Sequence, residues 1–570
     1  MADEKFFLHP GQEWQRRYEA LRASFVDRQP ARVVADRFGY SQSYVHLLRH
    51  QFIHGKIDFA EPVPEGKINR RAVDRATREK ICAWRQQRLS AGEIVQLLSE
   101  DGIDLSVRTV ERVLAEEGYP RLPRRTRLKI GLTVQGARVP EASRMVSVGE
   151  PCKVDCDAAG VFLFAPFIEQ LDLAKVVAEA GLPGSKTIPA LQYFLSFLAV
   201  KLIGTERFAR INDHSFDAGL GLFAGLNVLP KCTAMSTYSY SLDAIHLYKL
   251  QKAFVRQADR IGLYDKSIVN LDFHTIPHFG DQSVLQEHWA GARNKRMKGA
   301  LTLVSQDAGS KLVLYTAADI QRREADDQIL EFLTFWKKAR RGMNPTLIFD
   351  SKFTTYANLS QLNDLGVKFI TLRRRGKNLI QGLDAVGPWE KIHIPHAKRK
   401  YPNPQVYQSM VELTGYRGTL RQVAIRGNGH EKPAFLITND TDSPVERIVS
   451  DYARRWRVEN SIAEAVKFFS LNALSSPILT KVHFDVVMTV VADTLYSMLA
   501  AKLRGFEECD AAKVYRHFVK GKGQVVLTAD RLIVTFPRRA HNPILRNAPW
   551  HRLPTKASWL GDAKLEFVFQ

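Results

Sequence analysis

Three carboxylates stand where a divalent-cation site would need them. Asp272 lies inside the apolar run SIVNLDF, Asp350 closes TLIFD, and Glu459 belongs to the helix-patterned stretch DYARRWRVEN. A carboxylate within or at the end of a buried strand is costly to desolvate unless positive charge shares its surroundings, and a cation held by several carboxylates supplies that charge. Tyr452, Arg455, Trp456 and Glu459 recur at i, i+3, i+4 and i+7, which predicts one helical stripe carrying all four beside Ile448, Val449, Ile462, Ala463 and Val466. An arginine and a glutamate on an inward-facing stripe are either a buried structural ion pair or working parts. His274, His278, Asp281 and Glu464 are the neighbouring alternatives. His274 shares a strand face with Asp272 but suits orienting a neighbour better than holding a hard cation. Ideal helix geometry turns Glu464 away from the aspartates.

The elements that must position these acids change character along the chain. From residue 267 the text reads as strands (SIVNLDF, GALTLVSQ, KLVLYTA), then a helix at 327–340, the strand TLIFD, a helix at 356–365 and the strand KFITLR. Residues 373–433 turn to Gly, Pro and short alternating segments, including VYQSMVEL and LRQVAIR, which predicts a β-rich insertion. AFLITND and the Glu459 helix then resume the core. The tail holds an apolar helix at 482–503 and a hairpin, QVVLTADRLIVTF, suited to packing and subunit contact.

Upstream, the pattern is helical. Helices at 14–25, 31–38 and 41–52, with Gly39 as turn and Ser41 as cap, repeat in design at 77–88, 90–101 and 106–118. The last helix of each set offers polar side chains near its start, Gln42, Ser43 and Tyr44 in one and Arg108, Thr109 and Arg112 in the other, where base edges would be read in a major groove. A plain helical bundle with a solvated polar face is the alternative. Arg121, Arg124, Arg125, Arg127 and Lys129 form a basic linker, and 150–265 reads as a packed helical domain. The expected division is 1–60 and 70–130 for the two helical units, 150–265 for the intermediate domain, 266–372 and 434–475 for the core, 373–433 for the insertion and 476–570 for the C-terminal region.

The 570 residues carry a formal net charge of +22, with 45% hydrophobic and 25% charged residues. That composition excludes a mostly disordered chain and points to a polyanionic partner bound in a salt-dependent way. No signal peptide is visible, and His483, Asp485, Asp493 and Lys502 argue against the 482–503 segment spanning a membrane, so the expected location is the cytoplasm and the expected polyanion DNA. Cys152 and Cys156 in CKVDC are the closest of five cysteines, and without a second pair they read as reduced thiols rather than a zinc site.

With Phe435 to Asn439 (FLITN) followed by Tyr452, Arg455 and Glu459, the chain resembles the DDE transposases of bacterial insertion sequences, in the branch whose third acid sits in a Tyr-Arg-Glu-Lys signature. Lys467 comes one position later than that signature places its lysine. The resemblance covers the order of elements over roughly 150–550 and is carried by three short windows. It implies a multidomain α+β protein: an N-terminal helix-turn-helix region, a ribonuclease H-like α/β catalytic core with a β-rich insertion, and helical intermediate and C-terminal regions. Asp272, Asp350 and Glu459 would be its catalytic residues and the ligands of two Mg²⁺ ions, with Mn²⁺ as substitute, Asp272 bridging the pair. Arg455 and Lys467 would grip phosphates near the element end, Tyr452 would pack beside the terminal nucleotides, and Trp389 would stack on an everted base. The expected partners are element and target DNA and further copies of the chain in a dimer or larger synapse. A domesticated descendant acting as a non-enzymatic DNA-binding regulator is the competing reading.

Overall fold

The computed structural model describes residues 10, 12–57, 73–87, 89–119, 122, 141–147, 149–279, 285–291, 294–340, 342, 344–385, 387–394, 401–429, 431–473 and 476–570. The basic linker around Arg124, together with Asp281, Arg293, Arg341 and Lys398 to Lys400, lies outside them. The chain divides into two units, Met1–Ala137 and Arg138–Gln570.

In the first unit, α1 (Glu13–Phe25), α2 (Ala31–Phe38) and α3 (Gln42–Ile53) enclose a small core of Ala20, Ala23, Val34, Ala35, Phe38 and Val45. Gly39 ends α2 at φ +70°, a left-handed conformation that glycine adopts without strain, and the Ser41 hydroxyl accepts the Tyr44 amide at 3.2 Å to start α3. A second trio, α4 (Arg75–Gln86), α5 (Ala91–Glu100) and α6 (Val107–Glu116), packs around Ile81, Ile94, Leu98, Val110 and Val113. Ser90 and Glu93 cap α5 reciprocally, and Ser106 caps α6 by accepting the Thr109 amide at 3.2 Å. Ser106→Ala should therefore cost about 1 kcal/mol. Measured by hydrogen exchange on the whole chain, amides in the first turn of α6 should exchange roughly five-fold faster.

The second unit is built on two sheets. Its first strand, β1 (Cys152–Cys156), belongs to the smaller one; a helical stretch containing α7 (Ala190–Leu202) and α8 (Ala244–Arg260) follows. The large sheet then forms from β2 (Ile268–Pro277), β3 (Glu287–Ala290), β4 (Lys295–Asp307) and β5 (Val313–Ile320), with α9 (Gln328–Ala339) leading to β6 (Thr346–Phe349), and α10 (Tyr356–Asp364) leading to β7 (Phe369–Leu372). Through β5, β4, β2, β6 and β7 the neighbours are antiparallel, antiparallel, parallel and parallel. This mixed order is consistent with a ribonuclease H-like core. Beyond β7 the same sheet continues, all antiparallel, through β11 (Ala434–Thr438), β10 (Thr419–Arg426), β9 (Gln405–Glu412) and β8 (Glu390–Lys391). The strands after residue 372 thus lengthen the central sheet at its β7 edge.

Two helices join the second part of the core, α11 (Val445–Ala453) and α12 (Trp456–Phe468), and the long α13 (Leu479–Ala500) follows. By length and apolarity α13 is able to cross a membrane, yet 83% of its apolar window is buried inside the protein. Buried between α7 and α13, the Lys201 ammonium lies 2.8 Å from the Asp485 carboxylate and donates to the Phe469 carbonyl at the end of α12. The chain closes with the smaller sheet: β12 (Gly523–Leu527) and β13 (Arg531–Phe536) form a hairpin, β14 (Lys556–Ala557) and β15 (Ala563–Phe569) extend it, and β1 pairs with β12 on its other side. CKVDC is therefore an edge strand, and its cysteines are free thiols.

Candidate active site

β2 is buried over most of its length, and its three partly accessible residues are consecutive: Asp272, Phe273 and His274. The apolar run that predicted a buried strand thus opens to solvent where its carboxylate stands. β6 runs parallel to β2 with Asn270 opposite Ile348. Two residues further along that register, Asp350 follows the end of β6 beside Asp272. The carboxyl ends of neighbouring parallel strands are where α/β sheets place their ligands. Asp350 Oδ1 accepts the Ser351 amide at 2.7 Å and Asp272 Oδ1 accepts the Phe273 amide at 2.9 Å.

Glu459 arrives from α12, and Arg455 connects it to the strand. The guanidinium donates to Asp272 Oδ2 at 3.3 Å and to Glu459 Oε1 at 2.7 Å. It is 18% exposed, Asp272 21% and Glu459 53%, so the fork ties a desolvated carboxylate to a solvent-facing one. α12 is itself pinned to the sheet. Arg457 donates to the Ala308 carbonyl past the end of β4, and Gln306 on β4 donates to the Ser461 hydroxyl at 2.6 Å. Ile462, Ala465 and Val466 pack on Ile276, Ala300, Val482 and Val486.

The electrostatics are those of crowded negative charge. Burial pushes the Asp272 carboxyl up to about 6; Arg455 opposes that rise, while Glu459 and Asp350 add to it. Tyr452 reaches the same group from α11. Burial raises its phenol to about 12 against the pull of Arg455, its ring lies 5.9 Å from the Arg455 guanidinium, and its buried hydroxyl has no hydrogen-bond partner. The donor set of Asp272, Asp350 and Glu459 is all hard oxygen, the type Mg²⁺ and Mn²⁺ favour. As the side chains stand, among the described residues no three His, Cys, Asp or Glu groups meet closely enough to hold a metal ion. Arg455 occupies the space between Asp272 and Glu459, and completing the set requires the exposed Glu459 side chain to leave the guanidinium.

Several expectations change in detail. Tyr452, Arg455, Trp456 and Glu459 do not share one helix: α11 ends at Ala453 and α12 begins at Trp456. At the junction the amides of Arg454, Arg455, Arg457 and Val458 bond three residues back, a tighter turn that breaks the 3.6-residue stripe. Trp456 consequently points outward at 50% exposure. Lys467 lies exposed near the end of α12. Glu464 faces a different cavity, of about 780 Å³, which Asp493 and Asp510 also line. His274 Nε2 donates to Asn472 Oδ1 at 2.7 Å, and burial lowers its pKa, which favours the neutral ring. His278 Nε2 is buried and has no hydrogen-bond partner among the described residues. Trp389 is covered by the Arg426 guanidinium at 4.2 Å, so its face is already stacked. In the first unit Gln42, Ser43 and Arg108 are exposed, Arg112 pairs with Glu116 at 3.5 Å, and the Thr109 hydroxyl is spent on the Ser106 cap at 2.9 Å. Asn472, bonded to His274, and the Gln306–Ser461 link surround the candidate site and escaped sequence reading, since neither belongs to a motif or a periodic stripe.

No curated protein matches the chain. Residues 263–492 match the family described as Transposase DDE domain, a span that contains β2 through most of α13 and with them Asp272, Asp350, Tyr452, Arg455 and Glu459. That match, laid over a sheet whose parallel strands bring Asp272 and Asp350 together and a helix that delivers Glu459, supports a DDE transposase acting on DNA.

Proposed function

We propose that the protein is an insertion-sequence transposase of the Tyr-Arg-Glu-Lys branch, which binds the element's ends, hydrolyses a phosphodiester there and joins the freed 3′ hydroxyl to target DNA. The observation that carries this reading is the Arg455 fork between Asp272 and Glu459 at the carboxyl end of β2. It sets a cation among acids that repel one another, in the charge pattern that divalent ions would complete. Asp272, Asp350 and Glu459 would hold those ions; when bound, they supply a lowered pKa for the attacking water or hydroxyl and charge neutralisation for the departing 3′ oxygen. The residues of the chain do the rest. Arg455, released from Glu459, offers a planar fork to a phosphate beside the reacting bond. Tyr452 turns its unpartnered hydroxyl toward the same place. Pinning of α12 by Arg457 and Ser461 fixes where Glu459 can reach.

On this reading the two three-helix units are helix-turn-helix modules for end recognition through Gln42, Ser43, Arg108 and Arg112, Lys467 is an outer phosphate contact, and the working form in the cytoplasm is a dimer or larger synapse. Purified protein incubated with Mg²⁺, a labelled duplex carrying the element end and a target plasmid should give joined products, and Asp350→Ala should abolish them while leaving binding intact. Cleavage without joining would make the protein a stand-alone nuclease. Binding that is equal in both proteins, with no cleavage, would make it a regulator.

A further inference from the structure

Far along the chain from the three acids, the helical stretch 511–519 before β12, which Asp510 caps by accepting the Lys513 amide at 2.7 Å, and the loop after β13 bring several cations together. The rings of His517 and His541 lie with centroids 4.4 Å apart and planes tilted by 50°, and Phe506 meets them edge-on at 5.5 and 6.1 Å. Lys513 lies 5.1 Å over the Phe506 ring. Arg539 is held half-buried: its guanidinium donates to the His517 carbonyl at 3.3 Å and lies where a side chain on Gly521, at φ +139°, would have to go, 3.0 Å from that Cβ position. The φ of 521 disfavours a residue with a side chain, and a Cβ there would press on the end of the Arg539 side chain. Burial, followed by the positive charges of His541, Arg516, Lys513 and Arg539, lowers the pKa of His517. Among the described residues, none of the Lys513, Arg516 and Arg539 side chains has a carboxylate partner. Like charges brought together on a short, well-packed framework raise the energy of the free protein unless an anion joins them.

We propose that Lys513, Arg516, His517, Arg539 and His541 form a phosphate site for the backbone of duplex DNA. The Arg539 fork commits one nitrogen to the carbonyl and keeps further donors for an anion, and Lys513 and Arg516 are exposed charges on the neighbouring helical stretch. A polymer with one charge on each phosphate answers several cations at once and releases counterions from each, which a single small anion does not. The choice of DNA as ligand rests on the DNA-acting reading above; the site itself does not depend on the three acids. It gives the C-terminal sheet a role in gripping nucleic acid in addition to packing.

Binding of the full chain to a 30-bp duplex of arbitrary sequence, about three turns, is to be followed by fluorescence anisotropy in EDTA over a range of salt. Lys513→Gln/Arg516→Gln should weaken binding about tenfold near 0.1 M salt and flatten the slope of log K against log salt by about two. Both positions are exposed, and an unchanged melting temperature would confirm the fold. Affinity and slope equal to the parent's would overturn the proposal. So would a parent complex displaced by millimolar inorganic phosphate beyond the effect of equal ionic strength, because the site would then belong to a free anion. The Lys513→Gln/Arg516→Gln variant leaves the three acids in place, and binding is read in EDTA, so loss of this contact is visible separately from loss of cleavage.

Discussion

Asp272→Asn should lose strand cleavage by on the order of 10³-fold or more, as expected when a charge that organises the transition state is removed, and should gain stability while doing so. The carboxyl titrates at about 6 in the folded protein against a usual value of 3.8, chiefly because it is buried. A carboxyl whose folded pKa is raised contributes stability that is fully present below the unfolded value and is lost as pH rises through the folded one. Stability of the parent should therefore fall between about pH 4 and pH 6 from this group, by roughly 3 kcal/mol at most. Asparagine does not titrate; its single oxygen can replace only one of the two acceptors that Asp272 offers to Arg455 and to the Phe273 amide, as a protonated carboxyl would. Urea denaturation should find the variant more stable than the parent at pH 8 and equal to it near pH 4. A variant that is less stable at pH 8 would mean that the Arg455 pairing outweighs the desolvation of Asp272. Such opposition between activity and stability is common at sites that hold like charges together.

The second large effect lies away from the acids. Lys201 is 2% exposed and Asp485 13%, so Lys201→Met leaves a carboxylate desolvated and unpaired between α7 and α13. Breaking a buried pair from one side costs about 3–5 kcal/mol, whereas replacing both partners by apolar groups is close to neutral. Lys201→Met should thus lower the urea midpoint sharply, and Lys201→Met/Asp485→Leu should recover most of the loss. Because the ammonium also donates to the Phe469 carbonyl behind α12, both variants should cleave DNA less efficiently than their stability alone implies.

The acids themselves were legible because each interrupts an otherwise apolar pattern: Asp272 and Asp350 at strands that bury every other face, Glu459 on a helix with an inward stripe. The strand order around β2 and β6 was legible for the same reason, as runs of β-branched and aromatic residues separated by helical periodicity. What local pattern misses is pairing at long range. CKVDC reads as a cysteine pair and becomes an edge strand only because β12 reaches it from more than 350 residues away. The short β3, EHWA, alternates in burial but has no neighbours in sequence that mark it as a strand. The stretch after 372 reads as an insertion, and its strands continue the central sheet because β11 returns to the free edge of β7. The break at Arg454–Arg455 is invisible for another reason. A tighter turn shifts the phase of the stripe without changing any residue type, so Trp456 reads as inward while it faces solvent.

That break, together with the anchors on α12, sets the tempo of whatever Glu459 does. The helix is fastened to β4 two residues before the glutamate and two after it, by Arg457 and Ser461. Backbone excursions there are therefore suppressed, and the passage of Glu459 from the guanidinium to any other ligand is a rotation about side-chain bonds. Such rotations in exposed residues take picoseconds to nanoseconds, whereas collective helix or domain rearrangements take microseconds to milliseconds. On the proposed reading, freeing Glu459 from the guanidinium is therefore not the slow step of turnover.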